Sequence, residues 1–316
     1  MPDLTFDIAI YITSFFVIWA GSGLIVSAVS KLSHRLHVPA FLISFVILGL
    51  LTSTPEIAVG LSAVSSGTPS IFVGNLLGGT PVIFLLIIPI LAIFGRGIKL
   101  SHSLSKGSIL LALVISIAPF VIVLDHKVTN PEGAFLFVLY FVVVYLLHRN
   151  NAVSKHNANL LKLKSYSFID VLKVLGGMAI VLISSNIIVS KTLYFSQIFS
   201  ISPFYISLIV LSLGTNLPEL TIAVRAIVTG KKDIAFGDYL GSAAANTILF
   251  GIFTLMTKDA VLQVDSFLGM FILVAVGLLL FFHFAKTKNM ISPKEGLVLL
   301  TIYIIFVIIQ LVPIGS

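Results

Sequence analysis

Thr52-Ser53-Thr54-Pro55-Glu56 lies inside one long apolar stretch of the chain, and Thr215-Asn216-Leu217-Pro218-Glu219 lies inside another, 163 positions on. Each copy sets a carboxylate beside a helix-breaking proline. At mid-membrane depth such a carboxylate is costly unless a cation or a proton neutralises it.

The apolar surroundings of both copies fix the class. Of 316 residues 58% are hydrophobic and 10% charged, a balance that no soluble core has, so the chain reads as a polytopic membrane protein with little outside the bilayer. It has no cysteine, which excludes disulfides and thiolate metal sites. The first apolar stretch lacks a preceding basic region and a small-residue cleavage site, and reads as a spanning helix, not a signal peptide. Spans of about 20 apolar residues are expected near 7–30, 39–66, 70–95, 107–125, 133–149, 168–190, 203–229, 234–257, 266–286 and 295–313. The expected fold is therefore an all-α membrane protein of ten transmembrane helices, with the second and seventh broken at the Pro-Glu pairs.

Lysine and arginine give an orientation. Lys31, Arg35, Arg96, Lys99, Lys106, Arg149, Lys155, Lys162, Lys164, Lys231, Lys232, Lys286, Lys288 and Lys294 fall in odd-numbered loops. Only Lys127, Lys191 and Lys258 fall in even ones. The positive-inside rule then makes the odd loops cytoplasmic and puts both termini outside a cell membrane. The net charge of +7 is mostly loop charge and requires no nucleic acid.

The copies belong to a longer repeat that needs no gap. A shift of 163 lays Ser22 on Ser185, Phe41-Leu42-Ile43-Ser44 on Phe204-Tyr205-Ile206-Ser207, and Gly74-Asn75-Leu76-Leu77-Gly78 on Gly237-Asp238-Tyr239-Leu240-Gly241. Five helices, an odd number, separate the copies, so the second enters the membrane upside down, as an inverted-topology repeat. The expected organisation is a first half over 1–149, a basic polar linker over 150–166 and a second half over 167–316. The glycines of Gly74-x-x-x-Gly78 and Gly237-x-x-x-Gly241 read as close contacts between helices. Asp170 and Asp238 read as solvated acids at helix starts.

Pro55 and Pro218 cannot donate a backbone hydrogen bond and crowd the carbonyls of Leu51 and Gly214. Each helix is expected to kink there and turn carbonyls toward protein interior or a wet cavity. Together with the hydroxyls of Thr52, Ser53 and Thr215, the Asn216 amide, Glu56 and Glu219, they form an all-oxygen set. Hard cations such as Ca²⁺ and Na⁺ want such ligands, and the absence of Cys and of His in the motifs disfavours softer metals.

Gly214-Thr215-Asn216-Leu217-Pro218-Glu219, followed by Gly237-Asp238-Tyr239-Leu240-Gly241-Ser242, resembles the second α-repeat of the cation/Ca²⁺ exchanger superfamily, nearest to the prokaryotic Na⁺/Ca²⁺ exchangers. Thr52 to Gly79 resembles the first repeat. The resemblance implies an antiporter that exchanges Ca²⁺ for Na⁺ or H⁺, without cofactor, its long first and sixth helices sliding to expose the site alternately. Ser22, Gly23, Ser184, Ser185 and Asn186 would give that pair small or polar faces. Carried over by motif, Glu56 and Glu219 are the central carboxylates, with Thr52, Ser53, Thr215, Asn216, Ser242 and Asn246 as oxygen donors.

Two departures stand in the first half: Gly79 replaces a serine, and Ile83 replaces a polar residue. Gly79 is expected to leave room for water or a backbone carbonyl. By charge, two carboxylates balance one Ca²⁺, two monovalent ions or two protons. The expected function is Ca²⁺/Na⁺ antiport by alternating access, in the lipid bilayer and as a monomer. H⁺/Ca²⁺ antiport is the alternative, and a degenerate, non-transporting protein of the same fold is a further one. No nucleophile–base pair, phosphate loop or cofactor fingerprint points to an enzyme.

Overall fold

The helices follow the apolar stretches. A computed structural model describes residues 4–33, 45–46, 49–99, 106–151, 168–229, 232–257, 267–288 and 290–311. In chain order these form α1 (Leu4–Ser33), α2 (Gly49–Thr52), α3 (Thr54–Ser65), α4 (Pro69–Phe94), α5 (Lys106–Ile122) and α6 (Asn130–Asn151). Then come α7 (Phe168–Phe199), α8 (Pro203–Thr215), α9 (Leu217–Thr229), α10 (Lys232–Met256), α11 (Phe267–Lys288) and α12 (Pro293–Leu311). One small addition was not expected: β1 (Ile98–Lys99) pairs antiparallel with β2 (Met290–Ile291).

Eight of the described helices are long and apolar enough to cross a membrane. The stretches expected as the second and seventh spans are not among them, because each is divided. α2 ends at Thr52 and α3 starts at Thr54; α8 ends at Thr215 and α9 starts at Leu217. The sixth expected span, ending near 190, continues as a helix to Phe199. Of the expected linker, only Asn150 and Asn151 lie among the described residues, and they close α6.

Burial sorts the helices into layers. The apolar windows of α4 and of α10 are 83% buried, against 28% for α6, α7 and α12. The outer helices turn Phe135, Phe141, Leu182, Ile183, Leu279, Leu297 and Ile308 outward, as side chains facing lipid do. Inside, the driving force is van der Waals packing and interhelical hydrogen bonding. Backbones approach at glycine. A Cβ on Gly78 of α4 would stand 2.1 Å from the carbonyl oxygen of Leu208 in α8, and one on Gly241 of α10 2.2 Å from that of Phe45. These contacts are counterparts at the offset of 163. Gly74 likewise meets the carbonyl of Phe204, so three of the four expected close-packing glycines act as such; the side chain position of Gly237 lies outside the described residues.

α1 and α7 pack against each other. Their close approach is at Gly21 and Gly177, each set against the other's carbonyl oxygen. Gly23 has nothing within 4 Å and Asn186 is exposed, so of the expected small and polar faces only Ser22, Ser184 and Ser185 are turned inward. Beyond that contact, Tyr11 and Thr192 share a hydrogen bond at 2.9 Å, and Lys191 donates to Asp7. Asp170, expected to be solvated, is 1% exposed; Asp238 lies outside the side chains described.

Prolines leave carbonyls that polar side chains take up. The Leu51 carbonyl, deprived of an N–H by Pro55, accepts from the Thr54 hydroxyl at 2.6 Å. The Ile115 carbonyl, deprived by Pro119 of α5, accepts from Thr247 of α10 at 2.8 Å.

Candidate ion-binding site

Among the described residues each divided helix is interrupted at one residue, Ser53 in one half and Asn216 in the other, with backbone φ/ψ of −74°/13° and −86°/16°. Hydrogen bonds resume on both sides: the Ser53 N–H donates to Gly49 O and the Ile57 N–H to Ser53 O, as the Asn216 N–H does to Ser212 O and the Leu220 N–H to Asn216 O. The expected kinks are therefore sharp turns and not long unwound stretches. The side chains close them identically. Ser53 Oγ donates to Gly49 O at 2.8 Å and Asn216 Nδ2 to Ser212 O at 2.8 Å.

The turns put Glu56 and Glu219 into the first turns of α3 and α9, where free N–H groups and the helix dipole favour negative charge. Glu56 is 2% exposed and Glu219 is fully buried. The two carboxyl groups are close enough to act on each other electrostatically. Each has a threonine neighbour from the opposite half, and Glu219 has a serine of its own half as well. The Thr215 hydroxyl lies beside the Glu56 carboxyl, and the Thr52 hydroxyl beside that of Glu219. Ser242 of α10 donates to Glu219 Oε1 at 2.8 Å and shares a 2.7 Å hydrogen bond with Thr52.

All eight residues expected at the site are buried, and contacts gather seven of them into three groups. Glu219, Ser242 and Thr52 form one chain, and Glu56 joins Thr215. Asn246 and Asn216 converge on Gly79, where a Cβ would stand 2.5 Å and 3.4 Å from their respective Nδ2 atoms. Ser53 serves the turn. The space at Gly79, expected to admit water or a carbonyl, is filled by the Asn246 amide of the other half, and Ile83 is fully buried. Gly214 also gains a reason: the ring of Phe15 from α1 lies on it, 2.0 Å from where a Cβ would be.

Sequence reasoning passed over Asn75. It lies on α4 one turn before Gly79, is 1% exposed, and its Oδ1 accepts from Thr215 Oγ1 at 3.0 Å. The signal was its alignment with Asp238, which marked a polar position in both repeats. Four polar atoms of this group are buried without a partner: Glu56 Oε2, Glu219 Oε2, Asn75 Nδ2 and Asn246 Nδ2. Buried polar atoms in folded proteins are nearly always satisfied, so this concentration marks a place built for something further. Among the described residues no three of His, Cys, Asp and Glu gather, which leaves hydroxyls, amides and two carboxylates as the donor set.

Helices and site together define a multi-pass membrane protein with a buried, oxygen-lined centre. More particularly, the chain belongs to the sodium/calcium exchanger protein family, whose model matches it twice, over residues 6–148 and 170–312. This is a family of ion-exchanging antiporters and not of catalysts. The chain is 26% identical over 301 residues to CaxA of Alkalimonas amylolytica, covering 91% of this chain and 93% of that protein. Its fold is similar to that of the H⁺/Ca²⁺ exchanger CAX, with a TM-score of 0.75 at 17% identity, over 98% of this chain and 87% of the other. It is similar also to that of the sodium-calcium exchanger NCX_Mj, with a TM-score of 0.66 at 21% identity, over 96% and 98% of the two chains.

Proposed function

We propose that the protein is a secondary antiporter that exchanges Ca²⁺ for Na⁺ by alternating access, with Glu56 and Glu219 as the shared binding site. The observation that supports this best is the crosswise arrangement of the site. Each half supplies one carboxylate, a threonine of the other half attends it, and each carboxylate keeps one buried oxygen without a partner. A hard cation satisfies such oxygens and cancels the charge that makes them costly in a membrane. Thr52, Ser53, Thr215, Asn216, Ser242 and Asn246 complete the oxygen set in this reading.

Exchange follows from competition. Two negative charges are balanced by one Ca²⁺ or by two monovalent ions, so one cargo leaves before the other enters. A pair left empty and charged is too costly to re-expose across the membrane, which suppresses leak. The architecture we assign is ten spans, divided into inverted halves over 1–149 and 167–316 around a cytoplasmic linker at 150–166. The second and seventh spans are the divided ones, α2–α3 and α8–α9, and both termini lie outside the cell membrane. The Gly78–Leu208 and Gly241–Phe45 counterparts support that two-fold plan.

H⁺ as counter-ion is the second reading, since two protons neutralise the buried pair as two Na⁺ ions do. Calcium-45 uptake into vesicles holding the purified protein separates them, under an imposed Na⁺ gradient and then under a pH gradient. Uptake driven by Na⁺ alone supports the first reading, and uptake driven by pH alone supports the second. Uptake under neither leaves the non-transporting alternative standing.

A further inference from the structure

Thr215 has one hydroxyl proton and three neighbours to receive it: Asn75 Oδ1 at 3.0 Å, Ser212 O at 3.4 Å, and the Glu56 carboxyl. With the Asn75 amide as it stands, the proton goes to Asn75 Oδ1, Glu56 forgoes it, and Asn75 Nδ2 is left buried with no acceptor. Amide oxygen and nitrogen have nearly the same shape and opposite hydrogen-bonding character. Turning the amide over reverses every assignment. Nδ2 then donates to Thr215 Oγ1, the Thr215 hydroxyl is free to donate to Glu56, and Oδ1 takes the place of the stranded nitrogen. Of the four unpartnered atoms, three are then oxygens, Asn75 Oδ1 with Glu56 Oε2 and Glu219 Oε2, and Asn246 Nδ2 beside Gly79 is the remaining donor. A cation is the partner that the three oxygens lack.

The position matters because of what the first half is missing. Gly79 has no hydroxyl, and Ile83 has no polar group. On the same helix, one turn before Gly79, Asn75 is the buried amide that meets Thr215 from the opposite half.

We propose that Asn75 is a cation ligand contributed by the first half, its amide oxygen turned inward when the ion is bound, in place of the polar groups absent at Gly79 and Ile83. This rests on the site being the ion-binding centre assigned above.

Calorimetric titration of the full-length protein in detergent with Ca²⁺, and separately with Sr²⁺, tests it apart from transport. Asn75→Ala is expected to raise the Ca²⁺ Kd by about tenfold and to change the ratio of Ca²⁺ to Sr²⁺ affinity, as loss of one oxygen ligand does. Asn75→Asp, which keeps an oxygen there and adds charge, is expected to bind Ca²⁺ at least as tightly as the wild type. An Asn75→Ala Kd and Ca²⁺/Sr²⁺ ratio equal to those of the wild type overturn the proposal. So does weakened binding in Asn75→Asp with an unchanged ratio, since that marks a purely structural residue. If Asn75→Ala does not fold by thermal unfolding, Asn75→Asp decides alone on the same two readouts. Wild-type protein that binds Ca²⁺ but exchanges none overturns the antiporter reading and leaves the ligand assignment to be judged on binding.

Discussion

Neither Glu56 nor Glu219 is positioned by its own half alone, because Thr215 attends the first and Thr52, with Ser242, the second. Glu56→Gln and Glu219→Gln keep shape and remove charge. Each is expected to reduce exchange by about 100-fold, the effect of about 3 kcal/mol lost on removing one member of a buried charge pairing; initial rates of calcium-45 uptake measure it. At Gly79 the expected change is subtler. A Cβ there meets Asn246 Nδ2 at 2.5 Å, so Gly79→Ala displaces the amide and raises the half-saturating Ca²⁺ concentration by roughly tenfold, in keeping with about 1–3 kcal/mol for overpacking. The carboxylates, threonines and prolines were legible because repetition at one offset singled them out. Asn75 and the occupant of the Gly79 gap were not. Both depend on which side chain of a distant helix fills a space, and a lone asparagine inside a helix has ordinary backbone-bonding and packing explanations.

At the scale of elements, helix ends and contacts follow from local rules that act across the bundle. Two prolines each strip a carbonyl of its N–H, and two threonines replace it, one from the residue just before the proline and one from another helix. Thr247→Val removes the donor to the Ile115 carbonyl and is expected to cost about 1 kcal/mol, read as a lowered Tm. In a Pro119→Ala background, where the backbone N–H returns to serve that carbonyl, the same substitution is expected to cost distinctly less. Equal costs in both backgrounds would contradict this account of the kink. Gly78→Ala and Gly241→Ala drive a methyl against a carbonyl oxygen at 2.1 Å and 2.2 Å. Backbone cannot yield as a side chain does, so both are expected to lower Tm more than Gly79→Ala. The apolar lengths that mark spans were plain in the sequence, since eight described helices meet that requirement. Where α7 ends was not, because Lys191 falls within the apolar stretch and finds Asp7 of α1 as its partner. A cation that reads as a loop residue is held inside a helix by an acid far away in the chain.

For the whole molecule, the counterparts at offset 163, Thr52 with Thr215 and Glu56 with Glu219, are all buried. The lack of cysteine gives a silent background for testing orientation. Lys127→Cys is expected to react with a membrane-impermeant thiol reagent added outside intact cells, and Lys155→Cys only after the membrane is opened; the reverse pattern would invert the assigned topology. The duplication is read from polar residues that match at one offset without a gap, and the family model matches residues 6–148 and 170–312. The identity of the counter-ion was not legible, since two carboxylates are neutralised alike by two Na⁺ and by two protons. The central claim is that one buried pair of acids binds the exchanged cations in turn. Its most direct measurement is calcium-45 uptake into proteoliposomes under outward Na⁺ or H⁺ gradients, wild type beside the double variant Glu56→Gln/Glu219→Gln. The account predicts gradient-driven uptake by the wild type and none by the variant; equal uptake by the two would contradict it.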